Sequence, residues 1–363
     1  MKDGVSMTGN IGEWSELYTL FKLLADGKLY AADAQTNKIP DIYYDVLKVL
    51  RSEKNSRLEY SRETEVKIIN AETEEVICSV PIQAFVDQTD KLLGLMKAHT
   101  ETNGAFELPE VWSFAESIKC KSLKAKSQDK ADIILMVHDI MSGRDDKFGF
   151  SIKSQLGSPS TLFNASGATN FTYKIFDCTL SVDEIATFNG FKKFRDKFDY
   201  LSSLGGKIEY LKTDNEILNF NLQMVTSEMP EIFTDMIKAY YEGKANRVSE
   251  LACIVAESDL VHTLDNKTYV NHKVKDLLTN IALGMVPNTK WTGDFEATGG
   301  YIIVKDDGDV VCYHIYNHNA FMNYMLENTR FDTPSQTRHG FGSIYEENGD
   351  QFIKLNVQIR FVK

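Results

Sequence analysis

Asp132, Ser151 and Lys153 are the residues whose types and spacing could do chemistry. They lie in KADIILMVHDIMSGRDDKFGFSIKSQ, residues 130–155, which reads as a β-hairpin. Residues 131–137 form a β-rich run, Ser142-Gly143-Arg144-Asp145-Asp146 carries turn chemistry, and residues 148–154 form a second run. A hairpin centred between residues 141 and 142 sets Asp132 opposite Ser151. Lys153 follows two residues on, on the face of Ser151, because side chains alternate along a strand. An acid beside an amine at a strand end fits metal-dependent phosphodiester hydrolysis. The carboxylate would hold a hard divalent cation through oxygen. The ammonium would stabilise charge on the attacked phosphate or orient the water. His138-Asp139 is a competing pair, but it lies near the turn, far from Lys153 along the hairpin.

Two further stretches could touch a polyanion. Residues 156–170, LGSPSTLFNASGATN, are dense in neutral donors and almost uncharged. Ser160, Thr161, Asn164 and Asn170 are candidate phosphate contacts there. Residues 330–340, RFDTPSQTRHG, gather Arg330, Gln336, Arg338 and His339 on what reads as an exposed, proline-braced loop. Arginine can take guanine O6 and N7 together, and glutamine can pair with adenine. Basic clusters at Lys119, Lys121, Lys124, Lys126 and Lys130, and at Lys192, Lys193, Arg195 and Lys197, read first as solvated faces.

The elements that must position these residues follow from periodicity. Trp14, Leu17, Leu20, Phe21 and Leu24 share one helical face, and Gly27 ends that helix. Glu13 and Glu16 lie one turn apart near its start. Strands are expected at residues 29–32, 66–69, 76–80, 171–180, 207–211, 301–304, 310–316 and 352–362. Helices are expected at 39–50, 82–97, 109–118, 181–188, 191–204 and 319–326, with residues 215–283 mainly helical. The division expected is a core with the hairpin over 1–213, a helical section over 214–298 and a β-rich section over 299–363. The fold class is α/β (α+β), a mixed central sheet flanked by helices.

The 363 residues suffice for a large core, and 43% hydrophobic with 25% charged residues is ordinary for a globular protein. No apolar run approaches the ~20 residues of a membrane helix, and residues 1–10 lack a signal-peptide core. A cytoplasmic location is expected. Five scattered cysteines without a CxxC pair argue against a disulfide frame or a zinc site. A net charge of −12 argues against a non-specific nucleic-acid coat but allows a local basic groove. There is no GxxxxGK[ST] or GxSxG, so a nucleotide cofactor and an α/β-hydrolase triad are not expected.

The Asp132 … Ser151-Ile152-Lys153 pattern resembles the PD-(D/E)xK nuclease motif, with Ser where the second acid usually stands. The resemblance implies that a helix-borne glutamate completes the metal site. Glu16 is favoured over Glu13, and Gln155 is a further candidate. Three long segments, residues 9–33, 149–171 and 328–342, resemble the HpaII-type restriction endonucleases, in one order across nearly the whole chain. That resemblance implies a Type II enzyme of a restriction-modification system, cutting double-stranded DNA with Mg2+, usually as a homodimer, at the palindrome CCGG or a relative. Two adjacent guanines per half-site would suit Arg330 and Arg338. The alternative is a catalytically inactive, sequence-specific DNA-binding protein of the same fold.

Overall fold

The computed structural model describes residues 7–53, 56–100, 104–124, 131–139, 143–314 and 317–362. The chain forms two compact units. One comprises Met1–Ser160 with Phe295–Phe321, the other Thr161–Asp294 with Met322–Lys363. The chain therefore breaks at 160 and 294, not at the expected 213 and 298, and residues 295–321 return to the first unit.

The first unit is built on a nine-stranded sheet. Its spatial order is Lys28–Ala32, Val310–His314, Gly300–Val304, Arg144–Ser154, Ile133–Asp139, Lys38–Glu53, Ser56–Arg62, Glu65–Asn70, Val76–Pro81. The hairpin at its centre has the expected register, from Ile133 opposite Phe150 to Asp139 opposite Arg144. Its turn is tighter than the sequence implied. Arg144, Asp145 and Asp146 are already strand, Gly143 has φ 65° and donates to the Asp139 carbonyl at 2.7 Å, and Ser142 lies outside the described residues. The strand bearing Ser151 and Lys153 runs antiparallel to Ile133–Asp139 and parallel to Gly300–Val304, so the sheet is mixed.

Helix Ile11–Asp26 covers one face. Trp14, Leu17, Leu20, Phe21 and Leu24 are all buried, among Phe150, Ile152 and Ile302 of the sheet and Phe85, Leu92 and Met96 of helix Ile82–Ala98. Burial of each such large side chain is worth about 1.5–3 kcal/mol. Gly27 ends the helix at φ 70°, donating to the Leu23 carbonyl at 2.9 Å.

Residues 39–50 are not a helix. They belong to the 16-residue strand Lys38–Glu53. The register against Ile133–Asp139 shifts between Val46 and Lys48. That bulge sets the buried positions at 44, 46, 49, 51 and 53, so a step of three interrupts the alternation and imitates helical spacing.

The second unit holds two antiparallel sheets. One has the order Thr161–Phe163, Gln358–Phe361, Thr329–Asp332; the other Lys207–Thr213, Asn170–Phe176, Asp350–Asn356, Ile344–Glu347. Helices Glu216–Gln223, Met229–Tyr241, Val248–Ala256 and Asn266–Leu283 supply the expected helical stretch. The single strand expected at 352–362 is two, parted at Val357 and joining different sheets. Asn356, fully buried, anchors the break. Its amide donates to the Ser166 carbonyl (2.8 Å) and Asn170 Oδ1 (2.7 Å), and its own Oδ1 accepts from Thr169 Oγ1 (2.8 Å).

Candidate active site

Asp132 extends the hairpin one residue beyond strand Ile133–Asp139, its N–H donating to the Phe150 carbonyl at 2.8 Å. The strand partner supplies two donors to its side chain. Ser151 Oγ donates to Asp132 Oδ2 at 2.9 Å and the Ile152 N–H donates to the same oxygen at 2.7 Å. The carboxylate is thus fixed in orientation by the strand that carries the lysine. Ser151 is buried and acts as this orienting donor.

Lys153 projects on the Ser151 side of that strand, next to Gly300–Val304, where Tyr301 pairs with Ser151. Its ammonium stands 5.4 Å from the centre of the Tyr301 ring. Burial pulls the lysine below its usual pKa, opposed by the charges of Asp132 and Glu16. Both acids therefore act on this amine.

Glu16 reaches the same place from helix Ile11–Asp26. The Ser15 and Ser154 hydroxyls hydrogen-bond at 2.9 Å, both buried, which locks this turn of the helix to the end of the Lys153 strand. Burial, and then the charge of Asp132, push the Glu16 carboxyl up to about 8; Lys124 and Arg51 pull it back. Glu13 is otherwise engaged. It closes a capping box with Asn10, at 2.9 Å and 3.0 Å, and pairs with Lys124 at 3.2 Å. Gln155 is half-buried just past the strand, its N–H on the Val304 carbonyl at 2.8 Å.

Sequence reasoning missed Arg51 and Glu53, both buried, on the neighbouring strand. Leu50 pairs with Ile134, so Ser52 comes level with Asp132 two residues on. Arg51 Nε meets Glu53 Oε1 at 2.7 Å, Ser122 Oγ donates to Glu53 Oε2 at 3.1 Å, and the guanidinium also holds the carbonyls of Ser122 and Leu123. A buried pair held by further hydrogen bonds to backbone carbonyls and a hydroxyl can persist despite its desolvation. Here it ties down the segment that carries Lys124. The only signal in the sequence is an Arg-x-Glu spacing, which places both on one strand face.

No group of three or more His, Cys, Asp or Glu able to hold a metal occurs among the described residues. Two carboxylates, Asp132 and the Glu16 whose proton affinity it raises, beside a lysine, nevertheless make a hard, oxygen-only donor set. A cation bound there would relieve the repulsion between Asp132 and Glu16. The residues fit a divalent ion that keeps several of its waters.

The remaining candidates lie elsewhere. Ser160 ends the first unit, its hydroxyl 3.3 Å from the Ser154 carbonyl. In the second unit Thr161 starts a short strand and Asn164 is exposed. Asn170 is buried and braces its neighbours. Its Nδ2 donates to the His339 carbonyl at 2.9 Å while its Oδ1 takes Asn356, which leaves it unsuited to a phosphate contact. Arg330 is on strand Thr329–Asp332 rather than in a loop. Gln336, Arg338 and His339 form the short helix Gln336–His339, begun by Ser335 and ended by Gly340 at φ 65°. Arg338 is exposed, and Gln336 and Thr337 line a concavity of about 490 Å³ with Phe341, Tyr345 and Lys354. Of the second basic cluster, Lys197 is buried, its ammonium on the Gly342 carbonyl beneath the Phe188 and Phe194 rings.

The family model of the HpaII restriction endonuclease matches residues 10–361, with this hairpin inside the matched range. The chain belongs to the HpaII restriction endonuclease family. It is 43% identical over 357 residues to the Type II restriction enzyme HpaII of Haemophilus parainfluenzae, covering 98% of this chain and 99% of that one. No solved structure matches it. As a member of the HpaII restriction endonuclease family, the chain is a Type II site-specific deoxyribonuclease with a mixed α/β fold. None of its described helices is long and apolar enough to cross a membrane.

Proposed function

We propose that this endonuclease cuts both strands of a short palindrome, CCGG or a relative, with Mg2+, and that Asp132, Glu16 and Lys153 carry the reaction. The observation behind this reading is the fixed Asp132 carboxylate, held by Ser151 and Ile152, in the electrostatic reach of both Glu16 and Lys153. Asp132 and Glu16, with a backbone carbonyl near Ile152, would hold the cation. When bound, Mg2+ polarises the phosphate and lowers the pKa of its water. Lys153 donates hydrogen bonds to the phosphate oxygen on which charge develops, and its buried setting makes that contact stronger than in water. Ser151 keeps Asp132 aimed, and Gln155 lies close enough in sequence to contact the same water. Arg338 and Arg330, with Gln336 and His339, read base edges. Removing the guanidinium at Arg338 should cost ~1–3 kcal/mol of base discrimination.

A plasmid digest tests this directly. Cleavage should require Mg2+, stop in EDTA, and leave ends that map to one palindrome. Asp132→Ala and Lys153→Ala should each abolish cleavage while duplex binding survives. Full cleavage by either variant would overturn the assignment.

A further inference from the structure

In the three-stranded sheet of the second unit, Arg330 stands directly opposite Arg360. On the far side of Arg360 the register brings Thr161, and on the far side of Arg330, Arg247 forms an isolated antiparallel bridge. Residues paired in this way project from the same face. Thr161, Arg360, Arg330 and Arg247 therefore form one row across the sheet. With strands ~4.8 Å apart, the three arginine Cα atoms span roughly 10 Å. The opposite face is the buried one, with Phe163, Phe331, Ile359 and Phe361. The row's own face is open: Arg247 is exposed and the other three are half-exposed.

The charge on this face is unbalanced. Asp332, two residues from Arg330, accepts from Gln358 Nε2 at 3.0 Å and forms an ion pair with Arg360, whose Nε lies 3.1 Å away but makes no hydrogen bond. Arg247 donates to the Glu327 carbonyl at 3.3 Å. Among the described residues neither Arg247 nor Arg330 has an ion pair. Of the three guanidinium groups only that of Arg360 is paired with a carboxylate among the described residues, in a chain of net charge −12. Like charges directly opposite across strands destabilise a sheet. A polyanion lying on the row would turn that repulsion into binding, and arginine's planar fork suits phosphate oxygens.

We propose that this row is a phosphate-binding strip. Arg247 and Arg360 neutralise backbone phosphates of the duplex beside Arg330, and Thr161 donates its hydroxyl to the same backbone. Asp332 restrains Arg360 until DNA arrives. The inference rests on the endonuclease reading above, and it adds residues that sequence reasoning left out: Arg247 and Arg360 lie 83 and 30 positions from Arg330, and only the register brings them together.

The test is duplex binding without divalent cation, over a series of KCl concentrations, using one duplex with CCGG and one without. Each lost phosphate contact should flatten the slope of log K against log salt by about 0.9. Arg247→Gln and Arg360→Gln should each do so on both duplexes, while Arg247→Lys and Arg360→Lys keep the slope. Asp332→Asn should tighten binding several-fold by releasing Arg360, an effect that a purely structural ion pair would not give. Unchanged slopes in both glutamine variants would overturn the strip, as would weaker binding by Asp332→Asn. Should a glutamine variant unfold in a thermal melt, Asp332→Asn and the lysine variants decide. Normal cleavage and binding by the wild type with unaltered variant slopes would sink the strip alone; no duplex binding by the wild type would sink both readings.

Discussion

At the scale of single residues, Ser151 shows how a hydroxyl on one strand orients a carboxylate on the next. Its hydroxyl donates to Asp132 Oδ2 beside the Ile152 N–H, so two donors from one strand hold a single carboxylate oxygen. Ser151→Ala leaves the backbone donor in place, so Asp132 is loosened rather than lost. Loss of an outer orienting partner typically costs 10–100-fold in metal affinity or activity. Ser151→Ala should therefore cleave about that much more slowly, a milder defect than Asp132→Ala in the same single-turnover assay. Glu16 carries a pH signature. Its carboxyl, with an ordinary value of 4.5, is pushed up to about 8 by burial and then by Asp132. A raised acid favours the fold below its unfolded value and loses that contribution as pH rises towards 8. The metal-free protein should thus become less stable across pH 4.5 to 8. Cation binding needs the ionised form and releases a proton, so Mg2+ affinity should climb over the same range. Titration calorimetry with Mg2+ at several pH values should show this rise, and Glu16→Gln should flatten it. A flat profile in the wild type would remove Glu16 from the site.

At the scale of elements, the first helix sets the reach of Glu16, and its end is fixed by Gly27. A Cβ at Gly27 would lie 2.4 Å from Arg62 Cζ, and φ there is 70°. The Arg62 guanidinium in turn binds the Leu24 and Ala25 carbonyls at 2.8 and 3.2 Å. Gly27→Ala adds a left-handed backbone penalty of about 1–2 kcal/mol to the displacement of a guanidinium that caps two orphan carbonyls. The midpoint of urea denaturation should fall accordingly. This helix and the hairpin register were legible because each is local: a 3.6-residue stripe, and a turn with flanking β runs. Strand Lys38–Glu53 was not legible, since its bulge broke the period that identifies strands. In the site, Asp132, Lys153 and Glu16 could be nominated from residue type and family likeness. Ser15 with Ser154, and Arg51 with Glu53, could not, because those pairs depend on which strand lies beside which. Asn170 failed as a phosphate contact for the same reason: its partners, His339 and Asn356, are more than 160 residues away in sequence.

At the scale of the whole molecule, the chain leaves the first unit at residue 160 and returns for 295–321. The returning segment is not peripheral. Gly300–Val304 lies against the Lys153 strand itself, with Tyr301 level with Ser151, and Val310–His314 carries the sheet on to Lys28–Ala32. A chain ending at residue 294 would therefore open the sheet beside the lysine, exposing the unpaired edge of Arg144–Ser154 and the apolar side chains of Phe150 and Ile152. It should be insoluble or aggregate. Supplying residues 295–363 separately should restore soluble protein only if that strand can be re-inserted. Symmetry then bears on how the cut is made. One chain offers one Asp132–Lys153 site, whereas a palindrome presents two equivalent phosphodiesters related by a two-fold axis. A pair of chains sharing that axis meets both. Sedimentation with a CCGG duplex should accordingly give two chains per duplex. Mixing wild-type protein with an excess of Lys153→Ala should convert supercoiled plasmid mainly to nicked circles, because most active pairs then hold one competent site. Linear product in undiminished proportion would show that a single chain cuts both strands in turn.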